Sequence, residues 1–600
     1  MKQFFIIGLL LLAVGIYTFS CQGTKQAPPQ QIAAQLLLQI DTFSTACNNL
    51  QHGVEQGRVT DVQVQALFRQ ARLRYKQLEW GAEFFDPFTS KMINGAPVPE
   101  YEPGEGQVLQ PHGLQVIESL LYPRADEAKR TELIAELKLL QQDCNNLRSH
   151  FKNVEILDGQ VFDAAKLQIF RVLTLGITGF DSPLAGNSLQ ECAVSLAAIK
   201  PALACYSKHE ANEVNNRLDK AIAYLHAHRD FNTFNRAIFI ADYGNPASVA
   251  LSDMGKQLNI HLIRYNRLLN QDAKTLFDPK AFNLNAYMSD FGDSITTAKV
   301  ALGRRLFADP VLSSDGSRSC QSCHQPQKAF TDGLAKNTVF HSTKLLRRNT
   351  PTLLNAAMQP SQFYDIRANM LEDQAFDVVS NKQEMHGSMK LAVKRLWRDQ
   401  AYRRLFANAF PKSKRNEIDS ADVVNALGSY VRSLTFLNSR FDEYMRGDKS
   451  AMNEVEINGF NLFMGKAKCG TCHYMPLFNG TFPPRFTRIE TEVIGVPASL
   501  QNKAIDPDEG RFELVKITAF KHAFKTPTVR NAARTAPYMH NGIYQNLEQV
   551  VDFYNRGGGK GLGLNVDNQT LPFDKLNLTE KEKHELVAFI KSLDSKPQDN

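Results

Sequence analysis

The sequence predicts an all-α protein, an N-terminal helical bundle followed by two smaller helical domains of one kind. Three observations predict it. Long stretches of the first half repeat apolar residues at helical spacing. The second half contains one five-residue cysteine motif twice. Each copy follows a short amphipathic segment, and a further helix closes the chain. At 600 residues the chain exceeds a single hydrophobic core. Its 43% hydrophobic and 22% charged content belong to an ordinary globular protein and exclude wholesale disorder or a fibrous repeat. The formal net charge of +7 comes without a Lys/Arg block that would track a phosphate backbone, so nucleic acid is not an expected partner.

The N-terminus reads as an address. Met1-Lys2-Gln3 is a short positive start, and Phe4 to Tyr17 is apolar and uncharged. This is the pattern of a secretory signal over 1–20, with an apolar run too short for a comfortable membrane span. Ser20 leads into Cys21, which resembles the lipidation box of bacterial lipoproteins, although Thr18 stands where Leu is usual. Lipid attachment at Cys21 is expected; plain cleavage or an uncleaved anchor is the alternative. The expected location is the periplasm, with a lipid anchor to the membrane or cell envelope. The polar stretch from Gln22, with Pro28-Pro29, suits a tether.

Residues 30–270 form the predicted bundle. Helical periodicity runs through Gln31 to Cys47, Val62 to Phe85, Thr131 to Phe151 and Ala211 to Ala227. Residues 271–294 read as a linker. Cys47, Cys144, Cys192 and Cys205 all lie in this half, and outside the cytoplasm they would form two disulfides in one of three pairings. Cys192 with Cys205 closes the shortest loop and is the expected pair; free buried thiols are the alternative.

The second half carries Cys320-Gln-Ser-Cys323-His324 and Cys469-Gly-Thr-Cys472-His473. Two thiols three positions apart add to the two vinyl groups of one haem, and the adjacent His lies under the iron. A zinc site would need further Cys or His ligands near each motif. No cysteine outside the two motifs follows Cys205, which argues against zinc. Thr296 to Phe307 and Val455 to Met464 are amphipathic segments before the motifs. Thr579 and Glu582 form a capping box opening a final helix whose apolar face holds Leu586, Val587, Phe589, Ile590 and Leu593. Helix, motif, loops and closing helix make a cytochrome c-like pattern. It predicts haem domains over 295–445 and 446–597, with two covalently bound haem c.

At this point the chain resembles a known family, the bacterial di-haem cytochrome c peroxidases and their MauG-type relatives. The resemblance spans about residues 295–595. It rests on Leu302-Gly-Arg-Arg-Leu-Phe-Ala-Asp-Pro310, Ala329-Phe-Thr-Asp-Gly333, Arg348-Asn-Thr-Pro-Thr-Leu-Leu-Asn355, Phe363-Tyr-Asp-Ile-Arg-Ala368, Asp508-Glu-Gly-Arg511, Phe524-Lys-Thr-Pro-Thr-Val-Arg-Asn531 and Pro537-Tyr-Met-His-Asn-Gly542. The resemblance implies a peroxide-reducing haem on His324 and an electron-entry haem on His473. His341 stands near where many members place a second axial His that blocks the first iron until the other haem is reduced; a surface His is the alternative. Gln374 and Glu384 match the distal residues of the peroxide pocket, where a carboxylate moves a proton from the inner to the outer oxygen. Glu384 lies in Asn381-Lys-Gln-Glu-Met385, with Lys382 in place of the family's Pro. Asn349, Thr535 and Pro537 match a calcium site between the haems.

Two departures from the family pattern matter. Tyr364 occupies the usual position of a Trp between the haems. Peroxidases generally place a Met ligand where this chain has Tyr554, and MauG-type members have Tyr there. A thioether raises a haem's potential and a phenolate lowers it. Met539 and Met475 are the alternatives to Tyr554. The resemblance therefore implies a peroxidase that takes electrons from a periplasmic donor, either a small cytochrome c, a cupredoxin or a quinol-linked protein. Its alternatives are a MauG-type oxidase that acts through a high-valent state on a protein or other substrate, and a non-catalytic electron-transfer or sensor cytochrome. Separately, His112 to Tyr122 resembles the G-x-H-x-x-E segment of imelysin-like domains. Gly113 and Glu118 are kept and Gln115 replaces the His, which implies ancestry and not a working metal site.

Overall fold

The computed structural model describes residues 26–56, 60–102, 107–288, 294–411, 417–572 and 574–596. The signal run and Cys21 lie outside these residues. Among the described residues the chain is largely helical. Its strands pair only as Glu100–Glu102 with Gln107–Leu109 and Thr491–Glu492 with Phe524–Lys525, both antiparallel. No described helix is long and apolar enough to cross a membrane.

The N-terminal helices form where periodicity and capping agree. Pro28–Gln56 buries Ile32, Leu36, Ile40, Phe43, Cys47, Leu50 and Val54, a stripe at helical spacing. Asp61–Phe85 opens on Thr60, whose hydroxyl and Gln63 form a reciprocal capping box. Arg130–Asn153 and Lys208–Ala227 show the same one-sided burial. Asp158–Thr174 is buried on nearly every side and is the central helix. Buried charge is paired around it. Arg72 binds Glu191 through two bonds of 2.6 and 2.7 Å, and Asp181 accepts from Lys76 at 2.7 Å and from Arg171 at 2.8 Å. Such groups are tolerated inside only when paired and hydrogen-bonded.

Two expectations for this half are corrected. The Cys192–Cys205 bridge is not formed. The Cys192 thiol is buried against Gly176, while Cys205 donates to the Pro201 carbonyl at 3.4 Å. The thiol within hydrogen-bond reach of another is Cys47, beside Cys144 on the facing helix. Second, the expected linker contributes to the core, because among its described residues Leu276, Phe277, Ala281 and Phe282 are buried. Gln115 and Glu118 are held by hydrogen bonds to backbone groups. Gln115 donates to the Asn94 carbonyl at 3.1 Å, and Glu118 accepts from the Ala185 amide at 2.7 Å.

The second half repeats one arrangement. Helix Thr297–Ala308 packs on Ser420–Ser433 where Gly303 meets the Ala426 carbonyl so closely that a Cβ would stand 1.9 Å from it. Helix Glu454–Met464 packs on Glu580–Ser592 in the same manner, with Gly459 against the Glu585 carbonyl at the same 1.9 Å. Only glycine permits either crossing.

The apolar side chains make two large cores. The smaller is built from residues of the first motif's half, such as Leu302, Leu306, Leu371, Leu396 and Leu427. The larger is continuous through the N-terminal helices and the second motif's half, joining Phe43 and Phe170 to Phe441, Phe460, Phe478 and Phe589. Phe441, counted by sequence with the first half, sits against Phe460, Phe478 and Phe589 at ring distances of 5.1, 5.1 and 5.8 Å.

Candidate functional site

Both cysteine motifs open onto one cavity of about 1010 Å3. Each motif is a short turn. The His324 amide bonds the Cys320 carbonyl and the His473 amide bonds that of Cys469, both at 2.9 Å. These turns present the two thiols and the imidazole together. His324 Nδ1 lies 3.0 Å from the Phe330 carbonyl and His473 Nδ1 lies 2.9 Å from that of Pro527. A carbonyl only accepts, so Nδ1 carries the proton and Nε2 keeps its lone pair for a metal. Burial pushes both imidazoles down, His473 to about 4, so they stay neutral. Two thiols plus a neutral, oriented imidazole facing a large apolar cavity fit a covalently attached haem at each motif.

A short repeat builds both seats. Thr350-Pro-Thr352 and Thr526-Pro-Thr528 are followed by Asn355 and Asn531, which adopt the same left-handed turn at φ 61° before a short 3-10 helix. The sequence contains this repeat openly, and comparing the halves would have found it.

Around the first motif, Glu384 and Gln374 line the cavity. Glu384 sits in the turn after helix Leu371–Ser380. Its Oε1 accepts from Asn381 at 2.9 Å, and Arg318 donates to its carbonyl at 3.1 Å. Burial raises its carboxyl above the usual range, and its charge bears on the Cys323 thiol. His341 is not brought to this cavity. Its side chain is 62% exposed and its Nε2 meets Asp315 at 2.6 Å.

Between the motifs, Tyr364 lines the cavity, with its hydroxyl 3.5 Å from Asn349 Oδ1. Its carbonyl accepts from the Lys525 amide at 2.7 Å, which joins the two halves. Arg348 clamps the same region, with two bonds to Asp508 at 2.7 and 3.0 Å and one to Asp365 at 2.5 Å. Asn349, Thr535 and Pro537 share this wall. The Asn349 side-chain amide donates to the Leu334 carbonyl at 2.8 Å, leaving Oδ1 toward Tyr364.

Around the second motif, Tyr554 and Met539 both reach the cavity, whereas Met475 is buried away from it. Burial and the charges of Cys472, Cys469 and Glu492 raise the Tyr554 phenol, which places it beside the second pair of thiols. Sequence reasoning missed Glu492. It lines the cavity, accepts a short bond from Thr570, and burial lifts it to about 7. Nothing local marks it, because its burial comes from distant segments.

A family model described as di-haem cytochrome c peroxidase matches residues 297–450. Methylamine utilization protein MauG of Methylorubrum extorquens is 38% identical over 303 residues, which cover 50% of this chain and 80% of that protein. Cytochrome c551 peroxidase of Nitrosomonas europaea is 32% identical over 292 residues, 49% of this chain and 78% of that protein. Among solved structures, a MauG-like protein associated with microbial copper homeostasis aligns at 29% identity and TM-score 0.47, covering 52% of this chain and 94% of the other. With a relative this similar matched over most of its length, and two motifs fit to hold haem c, the chain belongs to the di-haem cytochrome c peroxidase and MauG family of oxidoreductases.

Proposed function

We propose that the chain is an exported, lipid-anchored di-haem peroxidase that reduces hydrogen peroxide to water with two electrons and two protons. The observation that carries this reading is a half-buried, hydrogen-bonded carboxyl, Glu384, near the first motif in a cavity shared with the second. Two cytochrome c-like units, about 295–445 and 446–597, follow a helical domain at 30–270, and the paired glycine crossings support the duplication. The haems, when bound, supply electron storage and a site for the peroxide oxygen.

The chain's own residues handle positions and protons. Glu384 takes the proton from the inner peroxide oxygen and returns it to the outer one, which leaves as water. Gln374 orients the peroxide from the adjacent helix. Asn381 holds the carboxyl of Glu384 in place. Tyr364 lies on the path of electrons from the second site to the first. Asn349, with the carbonyls of Thr535 and Pro537, suits a calcium ion that would hold the two halves in register. A periplasmic redox protein supplies the electrons.

Replacing Glu384 with Gln in the haem-loaded protein is expected to lower peroxide turnover by about 10²–10⁴-fold with both haems retained. Near-normal turnover would remove Glu384 from this role.

A second reading has its own support. His341 is turned away to Asp315, and Tyr554 stands by the second pair of thiols. An uncapped first site and a phenolate-ligated second one suit a MauG-type oxidase that withdraws electrons from a protein or other large substrate. The two readings share the first step with peroxide and differ in the electron source.

A further inference from the structure

The two motifs differ in what lies outside them. Between Cys320 and Cys323, Gln321 and Ser322 are exposed to solvent. Between Cys469 and Cys472, Gly470 is buried. A Cβ on Gly470 would stand 2.7 Å from Met464 Sδ and 3.4 Å from Thr178 Cγ2. Thr178 belongs to the N-terminal domain, in a tight turn where its hydroxyl donates to the Leu175 carbonyl at 2.7 Å.

The contact extends on both sides. Phe180 packs edge-on against Tyr474 at 6.1 Å and Phe482 at 5.6 Å, next to the second motif, and lines the cavity itself. Glu100, also on the cavity wall, pairs with Arg488 at 3.0 Å. On the other side Arg236 is wholly buried and donates to the Ile177 carbonyl at 2.9 Å, while Asn461 Oδ1 accepts its amide at 2.8 Å. A Cβ on Gly465 would lie 2.6 Å from the guanidinium of Arg236. Gly465 and Gly470, on either side of Cys469, are therefore both seats for side chains of the N-terminal domain. Among the described residues, the first motif's half has a core separate from that of the N-terminal helices.

We infer that the N-terminal helical domain is the outer wall of the second haem site, with Thr178 and Phe180 closing the side at Cys469 and Cys472 against water and against an external redox partner. The inference rests on haem attachment at that motif. The family model matches residues 297–450, and Thr178 and Phe180 lie outside that match. An apolar shell controls solvent access and local dielectric, and both set a haem's potential. Thr178, Phe180 and the Glu100–Arg488 pair are positioning groups for that haem, because they act on its surroundings.

The test uses the full-length, haem-loaded protein. Phe180→Ala opens the wall without adding charge. Each haem's potential is followed by redox titration with paramagnetic resonance, which resolves the two irons. Its rate of reduction by the small hydrophilic complex hexaammineruthenium(II) is measured in parallel. The second haem is expected to accept electrons from the complex several-fold faster and to shift to lower potential, with the first haem unchanged. Should Phe180→Ala fail to fold, Glu100→Gln removes the rim charge that pairs with both Arg488 and Lys91, and an increase of about twofold at the second haem is expected. An unchanged second haem, or an equal change at both, would overturn the wall. Absence of covalent haem at Cys469 and Cys472 would instead overturn the haem reading on which the inference rests.

Discussion

The first and second motifs are built on the same turn, the same Thr-Pro-Thr seat and the same glycine crossing, yet they stand in opposite surroundings. The first has exposed residues between its cysteines, a half-buried carboxyl nearby and a His turned toward solvent. The second is covered by a domain that shares its core, and a phenol faces its thiols. On the proposed reading, one scaffold used twice gives a site open to a small polar reactant and a site insulated from it. The difference lies in the surroundings of the two motifs and not in the motifs themselves.

The largest expected effect breaks the chemistry of the open site alone. Glu384→Gln should remove about 10²–10⁴-fold of the reaction rate with peroxide while the second haem's spectrum stays the same. Because burial raises this carboxyl, the base form is lost at a higher pH than for a free glutamate. The rate should fall on the acid side with an apparent pKa above about 4.3, the ordinary glutamate value. Glu384→Gln should lack that limb.

The next effect belongs to the insulated site. Tyr554→Met should raise the second haem's potential by on the order of 0.1–0.3 V, a fraction of the span that axial ligands cover. Titration of the two haems checks this, and an unmoved second haem would favour Met539 as its ligand.

Stability should separate the regions as well. Arg530 donates to Asp442 at 2.7 and 2.8 Å inside the larger core, and both are buried. Arg530→Ala should cost about 3–5 kcal/mol, because it leaves an unpaired buried charge. The Asp442 carboxyl is held low in the fold, with burial opposing and Arg530 lowering it. Its contribution is therefore present above the unfolded value near 3.9 and lost as pH falls through the folded one. Denaturant titrations at pH 7 and pH 3 should show a smaller difference between wild type and Arg530→Ala at the lower pH.

The smallest effects come from the motifs' middle residues. Gly470→Ala should destabilise by about 1–3 kcal/mol through overpacking, whereas Gln321→Ala should stay within about 0.5 kcal/mol. Equal values would mean that the two motifs are equally covered.

Much of the helical fold was legible because its signals are local. Thr60 and Thr579 announce their helices by capping boxes, and the apolar stripes of Pro28–Gln56 and Glu580–Ser592 follow helical spacing. What each stripe packs against was not legible. Periodicity shows that a face is buried but not its partner, so the core joining Phe170 to Phe589 could not be read. Residues 271–294 resembled a linker because Asn, Asp and Lys dilute Leu276, Phe277 and Phe282. Proximity in sequence suggested Cys192–Cys205, whereas antiparallel helices bring Cys47 to Cys144. At the site, the two cysteine motifs were legible in the sequence, while Glu384 was singled out only by the family resemblance. The cover over Gly470 and the buried Glu492 arise from distant segments and left no local mark.

The most direct test of the contrast is to mix the fully oxidised, haem-loaded protein with one equivalent of hydrogen peroxide in a stopped flow. With His341 turned to Asp315 and the second site walled, the account predicts a fast spectral change without added reductant, unaltered in rate by His341→Ala. No change until an electron is supplied would mean that His341 caps the first iron, and would contradict the account of an open first site.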